Sequence, residues 1–297
     1  MLVAHRGRHN PENWVAVRHL HMDRAAFASA AERIGEFAPD AVVDTLAMTS
    51  TDAESVLPHL PGVPIVVLSS MDVYRAYELA LAGGGRIPVP ITEDSPLRQE
   101  RYPHRGAPGV DGYDVDMDAY EKLDVEPLYL ARAATVLRLA VVYGEHDPQR
   151  REDFVLRRVR AGRERIPVGP GNLLWSRVHV DDVARAVMAA LDEPAARGEV
   201  FNICETTTVT VREWMAQILR AAGSGAELVT VADVPPESLT GTFGQHLLFS
   251  NEKARRVLGW EPGDPAESVA RSVRWHLEHP PTAEDADFSA DDRALES

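Results

Sequence analysis

Two consecutive serines, Ser69 and Ser70, end a short apolar run that spans residues 64–68. A run of this length, with Pro64 at its start and polar residues after it, predicts a buried parallel strand. The hydroxyls then lie at the carboxyl end of that strand, which is the edge where open α/β sheets bind ligands. A hydroxyl at such an edge can hydrogen-bond a substrate oxygen, although two serines would also be found where a strand simply ends.

Strand and helix patterns alternate over the first 75 residues, in the order strand, strand, helix, strand, helix, strand. Such alternation implies a parallel sheet with right-handed crossovers. Further strand patterns follow at 134–143 and 199–203, and helical patterns at 119–132 and 211–222. The sequence therefore predicts an α/β fold that places Ser70 at the edge of a central sheet.

The composition excludes several classes of function. The chain has 297 residues, with 31 basic and 46 acidic side chains and a formal net charge of −15. Nucleic-acid binding needs a basic face, so we predict no nucleic-acid partner. No apolar run approaches the roughly 20 residues of a membrane span, and no signal-peptide pattern is found. The single cysteine, Cys204, excludes a Cys-based zinc site and predicts a cytoplasmic location, and we predict no metal site.

Two stretches interrupt the regular pattern. Residues 83–116 begin with three glycines and contain several prolines. A connection of that length predicts a substrate-binding or lid loop, with a disordered surface insertion as the alternative. Residues 279–297 are dominated by Asp and Glu and poor in apolar residues, so we expect a disordered acidic tail there.

Six short stretches, taken in order, resemble motifs of the extended short-chain dehydrogenase/reductases, the NAD-dependent epimerase/dehydratase family. Each stretch is weak by itself, and the resemblance rests on all of them together. The narrower pattern is similar to atypical members that act as reductases, including ketoreductases of antibiotic biosynthesis. The stretches are Leu68–Tyr74, Ile91–Leu97, Val136–Gly144, Val178–Ala184, Glu199–Ile203 and Leu258–Pro262.

The resemblance implies a Rossmann-like doubly wound parallel sheet followed by a small C-terminal α/β substrate domain. We expect residues 1–165, joined by 178–205, to form the dinucleotide-binding domain, and 166–278 to form most of the substrate domain. The family's Gly-rich turn is not found before Asn10, and residue 2 aligns with the family's second strand. We therefore expect the first strand and helix to be missing, through an upstream start or as a degraded copy, which would leave a gap in the sheet and poor cofactor affinity.

The catalytic residues of the family map onto only some positions here. Ser70 falls on the serine or threonine that hydrogen-bonds the substrate oxygen. Lys122 falls on the lysine that binds the nicotinamide ribose and lowers the pKa of a tyrosine four residues earlier, but that position holds Asp118. Tyr120, two residues before Lys122, would point about 200° away on a helix. Asp118, Tyr120 or a water would have to replace the tyrosine, unless Tyr120 only packs the helix and the site uses other chemistry.

Asp72 aligns with a carboxylate that acts as a base in the sugar dehydratases of the family. The acid that precedes it in those enzymes is Met71 in this sequence. One of the two carboxylates is therefore missing, which favours simple redox chemistry over dehydration. The alternative is that Asp72 caps a helix or a turn.

Cofactor contacts are expected at the ends of the first strands. Arg6 and Arg8 follow the first predicted strand, where NAD-preferring members carry an acidic residue. Two guanidinium groups suit the 2′-phosphate of NADP, so we predict NADP, with NAD as the alternative. A solvated basic turn would have the same sequence. The other cofactor contacts implied by the resemblance are Asp23, Arg24, Leu46, Ala47 and Lys122.

Trp175 and Arg177 lie just before Val178, where nucleotide-sugar enzymes of the family place groups that bind substrate phosphate. Three functions remain open. The first is an NAD(P)-dependent oxidoreductase that reduces a carbonyl or oxidises a secondary alcohol. The second is a nucleotide-sugar epimerase or dehydratase, and the third is a non-catalytic dinucleotide-binding protein. The expected partner is a small-molecule substrate, and formation of a homodimer is left open.

Overall fold

The computed structural model describes residues 1–7, 17–106, 116–234, 238–282 and 287–297 of the chain. Within these residues every ladder between named strands is parallel, and helices connect the strands. This is the α/β class that the alternating sequence patterns predicted, and the prediction is confirmed. None of the helices in the described ranges is both long and apolar enough to cross a membrane.

The strands are short, and those of the central sheet are mostly buried. In the fourth strand, for example, Ile65, Val66 and Val67 are almost inaccessible to solvent, because both faces of the sheet are covered. The strands, in chain order, are β1 Leu2–His5, β2 Arg18–His21, β3 Val42–Asp44, β4 Ile65–Ser70, β5 Thr135–Leu139, β6 Val141–Tyr143, β7 Arg165–Val168, β8 Arg177–His179, β9 Val200–Ile203 and β10 Glu227–Thr230.

Several helices begin at a residue that caps them. Before the second helix, Thr49 accepts a hydrogen bond from the amide of Asp52, and Asp52 accepts one in return, which is a capping box. The α-helices, in chain order, are α1 Ala31–Phe37, α2 Ser50–Val56, α3 Arg75–Ala82, α4 Lys122–Leu130, α5 Asp153–Arg160, α6 Val180–Asp192, α7 Val211–Ala221, α8 Glu252–Leu258, α9 Pro265–Glu278 and α10 Ser289–Glu296. Short 3₁₀ helices cover Arg24–Ala30, Leu57–His59, Met71–Val73 and Pro194–Ala196.

The central sheet has the strand order β3-β4-β5-β9, and its two faces are covered by different helices. Val66 and Leu137 belong to one apolar cluster, which includes Ala186 of α6. Val67 and Val136, the neighbouring residues on the same two strands, belong to another cluster with α2 and α4. Alternate residues of each strand therefore bury opposite faces, as expected for a doubly wound sheet.

The first two strands form a sheet of their own. β1 pairs with β2 over Leu2–His5 and Arg18–His21. Leu20 on β2, with Ala30 and Ile34, forms a small apolar cluster beneath this pair. Within the described ranges no ladder joins β1 or β2 to β3. That the first strand and helix of the family are missing stays a prediction.

A second layered region follows the central sheet. β7 pairs with β10, β6 pairs with β8, and an apolar cluster joins residues of α5, β7 and α7, including Leu156, Ile166 and Ile218. Tyr143 of β6 and Trp214 of α7 belong to the same cluster. The division into a dinucleotide-binding domain and a substrate domain at these boundaries stays a prediction.

The end of the chain differs from the disordered acidic tail that its composition predicted. Over the residues described there, α10 forms a helix with Asp291 and Ala294 buried. The carboxylate of Asp291 accepts two hydrogen bonds from the guanidinium of Arg158, at 2.7 and 2.8 Å, and Arg158 is fully buried. Composition misled because at least this acidic residue neutralises a cation on α5, so it does not remain in solvent.

Candidate active site

The carboxyl ends of β3 and β4 open onto a cleft of about 760 Å³. Ser70 ends β4, Lys122 begins α4, Tyr120 lies just before α4, and His104 comes from the long connection between α3 and α4. Asp72 lies in the 3₁₀ helix after β4. All five side chains line the cleft, so the structure brings together the four of them that the resemblance implied and adds His104.

The two serines at the end of β4 have different surroundings. The hydroxyl of Ser69 is buried and donates to Oε1 of Glu126 at 2.6 Å. Glu126 in turn is paired with Arg138, so Ser69 belongs to a buried polar network. The Oγ of Ser70 accepts a hydrogen bond from the amide of Asp72 and caps the 3₁₀ helix, while its side chain stays partly exposed. Ser70 therefore ends the strand and also presents a hydroxyl to the cleft.

Tyr120 faces the cleft because α4 begins later than its sequence pattern predicts. The expected helix spanned residues 119–132, whereas α4 starts at Lys122. Glu121 is extended and caps α4, and its buried carboxylate is held by Arg98. With Tyr120 outside the helix, the predicted angle of about 200° between Tyr120 and Lys122 does not apply. The Lys122 ammonium lies 5.8 Å from the centre of the Tyr120 ring.

The phenol of Tyr120 donates a hydrogen bond to Oδ2 of Asp72 at 2.8 Å. The same oxygen lies 3.3 Å from Nε2 of His104, and the rings of His104 and Tyr120 meet edge to face with centroids 5.0 Å apart. Oδ1 of Asp72 is buried and has no partner in the described part of the chain. Burial, and then the charge of Asp72, raise the pKa of Tyr120 well above its ordinary value. Tyr120 therefore carries its proton at neutral pH.

Lys122 is buried, and its ammonium joins the ends of two strands. Nζ donates to the carbonyl oxygen of Ala47 at 2.7 Å and to that of Leu68 at 3.0 Å. Burial lowers the pKa of Lys122 to about 8, while the nearby carboxylates, Asp72 first among them, act in the opposite direction. Counting the described residues, one of the three ammonium hydrogens remains for a ligand in the cleft.

Asp118, the other candidate to replace the family tyrosine, is not part of the cleft. Its side chain is exposed, and Oδ1 accepts a hydrogen bond from the amide of Gly106 at 2.6 Å. The carboxylate therefore closes a turn in the connection before α4. Of the two side chains left open by the sequence, only Tyr120 is positioned to exchange a proton in the cleft.

The residues expected at the cofactor fall into different places. Leu46 is exposed and lines the cleft near Lys122. Arg24 forms a bidentate ion pair with Asp44, at 2.9 and 2.6 Å, which holds the first 3₁₀ helix against β3. Neither Asp23 nor Arg6 lines the cleft, since Asp23 caps that 3₁₀ helix and Arg6 is exposed after β1. Arg8 lies outside the described residues.

A second cavity of about 700 Å³, the arginine pocket, is lined by Arg150, Arg151, Arg157, Arg158 and Arg177. Arg177 lies on β8, is almost fully buried, and stacks 4.2 Å from the centre of the Trp214 ring. Burial lowers the pKa of Arg177 to about 10, although Glu205 opposes the shift. Across the ranges that the structure describes, its guanidinium makes no hydrogen bond or salt bridge.

The arginine pocket adjoins the cleft. Val141, Arg151 and Trp175 line both cavities, so one extended ligand could reach from one to the other. The opposite wall of the arginine pocket is formed by the start of α10, where Asp291 pairs with Arg158. The two substrate residues implied by the resemblance, Trp175 and Arg177, therefore lie at the junction and in the pocket.

Sequence reasoning missed His104 and Asp291. His104 belongs to residues 83–116, and the only signal there was the length of the connection. Asp291 was assigned to a disordered tail, and the signal that could have found it is the basic face of α5, which needs acidic partners. Neither residue belongs to a motif of the family that the sequence resembles.

Residues 125–204 match the model of the "NAD dependent epimerase/dehydratase family". The solved structure of the Bordetella bronchiseptica enzyme WbmG in complex with NAD and UDP has the same fold. The two structures superpose with a TM-score of 0.65 at 15% identity, over 94% of this chain and 87% of that one. The likeness to that structure shows a Rossmann-like α/β fold. The resemblance of the sequence to the NAD-dependent epimerase/dehydratase family is confirmed by the match over residues 125–204.

Two curated relatives are similar to this chain over part of their length. The chloroplast stem-loop binding protein of 41 kDa b of Arabidopsis thaliana is 32% identical over 184 residues, which are 59% of this chain and 48% of the relative. A 3-diazoavenalumate denitrifying reductase of a Streptomyces species is 28% identical over 196 residues, which are 64% of this chain and 61% of that protein. The chain thus spans about half to three fifths of these relatives.

Proposed function

We propose that the protein is an NAD(P)-dependent oxidoreductase that reduces a carbonyl or oxidises a secondary alcohol. The observation that carries the proposal is the hydrogen bond from Tyr120 to Asp72 in a cleft that also presents the hydroxyl of Ser70. A hydroxyl that can bind the reacting oxygen and a phenol that can supply a proton are what reduction of a carbonyl requires.

Each side chain has a separate role in this proposal. Ser70 donates a hydrogen bond to the substrate oxygen. The Tyr120–Asp72 pair holds one proton and passes it to that oxygen during reduction, or takes it back during oxidation. Because the pKa of Tyr120 is raised, the pair is loaded with this proton at neutral pH. His104, partly exposed beside Asp72, connects the pair to solvent.

In this proposal the cleft takes the nicotinamide half of the cofactor. Lys122 and Leu46, which line the cleft, would hold the nicotinamide ribose, since over the described residues Lys122 keeps one ammonium hydrogen free. Ala47, the third predicted contact, is buried and does not line the cleft, and its carbonyl oxygen holds the Lys122 ammonium in place. The bound cofactor supplies or accepts the hydride. The sequence has no Gly-rich turn at the first strand to hold the pyrophosphate. Arg6 and Arg8 favour NADP over NAD, because neither is accompanied by an acidic residue at the strand end.

The test is to mix the protein with NADPH or NADH and a panel of ketones and aldehydes, and to follow the absorbance of the reduced nicotinamide. We expect turnover with NADPH that falls in the Ser70→Ala and Lys122→Ala variants. Ser69→Ala is the matched control, because its hydroxyl bonds Glu126. Saturable cofactor binding without turnover of any substrate would contradict the proposal and favour a non-catalytic dinucleotide-binding protein.

A nucleotide-sugar epimerase or dehydratase is the second candidate, and Arg177 favours it. Over the described residues its buried guanidinium has no hydrogen bond or salt bridge, which is costly, and an anionic phosphate of the substrate would neutralise it. Because the arginine pocket adjoins the cleft, a nucleoside diphosphate in the pocket would place an attached sugar near Ser70 and Tyr120. Redox chemistry at a sugar carbon would then use the same residues. The cytoplasmic location and the homodimer stay predictions.

A further inference from the structure

Three histidines converge at the carboxyl end of the two-stranded sheet. His5 ends β1, and His19 and His21 lie two residues apart on β2, so all three belong to neighbouring parallel strands. His5 is the register partner of His21. Each ring offers one nitrogen, and these three nitrogens lie within 4.8 Å of one another. That spacing suits a single metal ion bound by three imidazoles, with bonds of about 2.0–2.1 Å.

Contacts within the cluster show how it is held without a metal ion. Nε2 of His5 lies 2.7 Å from Nδ1 of His19. The amide of Gly7 donates to Nδ1 of His5 at 3.1 Å, so in this state Nε2 of His5 carries the proton and donates it to His19. The rings of His5 and His21 meet at right angles with centroids 4.8 Å apart. The imidazoles thus face one another as ligands would.

The cluster is open to an ion, because His21 is exposed and the side chains of His5 and His19 are half-buried. A water can complete the coordination of an ion held by the three imidazoles.

We propose that His5, His19 and His21 form a binding site for a divalent transition-metal ion, most naturally Zn²⁺. Imidazole nitrogen is a preferred ligand of Zn²⁺, Ni²⁺ and Cu²⁺, whereas Mg²⁺ and Ca²⁺ prefer oxygen. The ion replaces the hydrogen bond between His5 and His19. The proton on Nε2 of His5 moves to Nδ1, and the Gly7 hydrogen bond is given up. No electron is transferred in binding.

The site is separate from the cleft, because none of the three histidines lines it. The sequence prediction of no metal site rested on the single cysteine, which excludes only thiolate ligands. His19 and His21 are two residues apart on β2, but His5 joins them only because β1 pairs with β2, so the sequence does not reveal the third ligand. Arg6 follows His5 at the same edge of the sheet, and the proposed function assigns Arg6 to the phosphate of NADP. The metal titration therefore contains no nucleotide.

The experiment is titration of the full chain with Zn²⁺ by calorimetry, and with Co²⁺ by visible absorption, in a buffer without phosphate. We expect one ion per chain and intense Co²⁺ bands of a tetrahedral site. His5→Gln, His19→Gln and His21→Gln should each weaken binding, by roughly 100-fold or more for loss of a ligand, given that outer partners alone are worth 10–100-fold. His59→Gln, in a 3₁₀ helix away from the cluster, is the matched control.

His21→Gln keeps the test decisive, because this side chain is exposed and its loss should leave the fold intact. Circular dichroism of each variant checks that the two-stranded sheet is retained. No Zn²⁺ binding by the wild type, or unchanged affinity in a folded His21→Gln variant, would overturn the proposal. Equal weakening in His59→Gln would show that the ion binds elsewhere.

Discussion

The cleft and the arginine pocket adjoin, yet their polar groups are arranged in opposite ways. In the cleft, Tyr120 is bonded to Asp72, and Lys122 to two carbonyl oxygens. In the pocket, Arg177 is buried and, over the described residues, its guanidinium has no hydrogen bond or salt bridge. The polar groups of the cleft are already hydrogen-bonded, so they are positioned to hold and transfer a proton. The guanidinium of Arg177 has no anionic partner in the described residues, so its interaction energy is available to an anionic ligand.

The largest effect on activity is expected from removing the hydroxyl of Tyr120, which carries the proton in the cleft. Tyr120→Phe deletes only the hydroxyl and should reduce kcat/KM by roughly 10²–10⁴-fold, the usual contribution of a positioned acid or base. Tyr77→Phe is the matched control, since Tyr77 lines the same cleft but makes no hydrogen bond to Asp72 in the described residues. Turnover that survives Tyr120→Phe would assign the proton transfer to a water or to His104.

Within the arginine pocket, Arg158 has a carboxylate partner, whereas Arg177 has none in the described residues. Asp291→Ala removes the carboxylate that accepts two hydrogen bonds from the buried guanidinium of Arg158, and should destabilise the protein by about 3–5 kcal/mol. Asp292→Ala breaks an exposed pair with Arg163 and should cost at most about 1 kcal/mol. Urea unfolding measures both. Similar small losses in both variants would mean that α10 is not docked through Asp291.

Removing the guanidinium of Arg177 should have opposite effects on ligand affinity and on the stability of the fold. On the second proposed function, that of a nucleotide-sugar enzyme, Arg177→Met should weaken binding of UDP by roughly 10- to 100-fold, as expected for one charge-assisted hydrogen bond of about 1.5–3 kcal/mol. The same change should raise the melting temperature, because it removes an uncompensated buried charge. Arg165→Met, on an exposed position of β7, is the control for loss of positive charge. A lower melting temperature with unchanged UDP binding would make Arg177 a structural residue.

The smallest effect concerns Lys122 and pH. Its folded-state pKa of about 8 lies below the ordinary 10.5, so the unfolded chain holds this proton more tightly. The free-energy cost of burying the charged ammonium is therefore complete below pH 8, and it decreases as the pH rises from 8 towards 10.5. Relative to Lys122→Met, the wild type should gain stability across this window, by up to about 1.4 kcal/mol per pH unit. Urea unfolding of both proteins at two pH values in this window tests this, and a difference that falls with pH would contradict it.

The position of Ser70 could be predicted from sequence because it needs only local information. A buried run followed by a polar residue fixes a strand end, and parallel strand ends meet at one sheet edge. Arg177 could be located because the resemblance covers the stretch around it. In both cases the residue and the element that positions it are neighbours in the chain.

Tyr120 and the histidine cluster depend on contacts between distant segments. The start of α4 is set by Glu121, whose carboxylate is held by Arg98, and periodicity alone cannot detect that pairing. The convergence of His5 with His19 requires β1 to pair with β2 in one register. Asp291 was missed for the same reason, since its partner Arg158 is far away in sequence.

The indoles around the arginine pocket give the protein a built-in optical signal. Trp214 stacks against the guanidinium of Arg177, and Trp175 stands at the junction with the cleft. An anion that draws Arg177 towards itself changes the surroundings of the Trp214 ring, and a ligand that reaches the junction also contacts Trp175. Intrinsic fluorescence should therefore report occupancy of the pocket directly, so that candidate ligands can be screened without a label and without knowledge of the reaction.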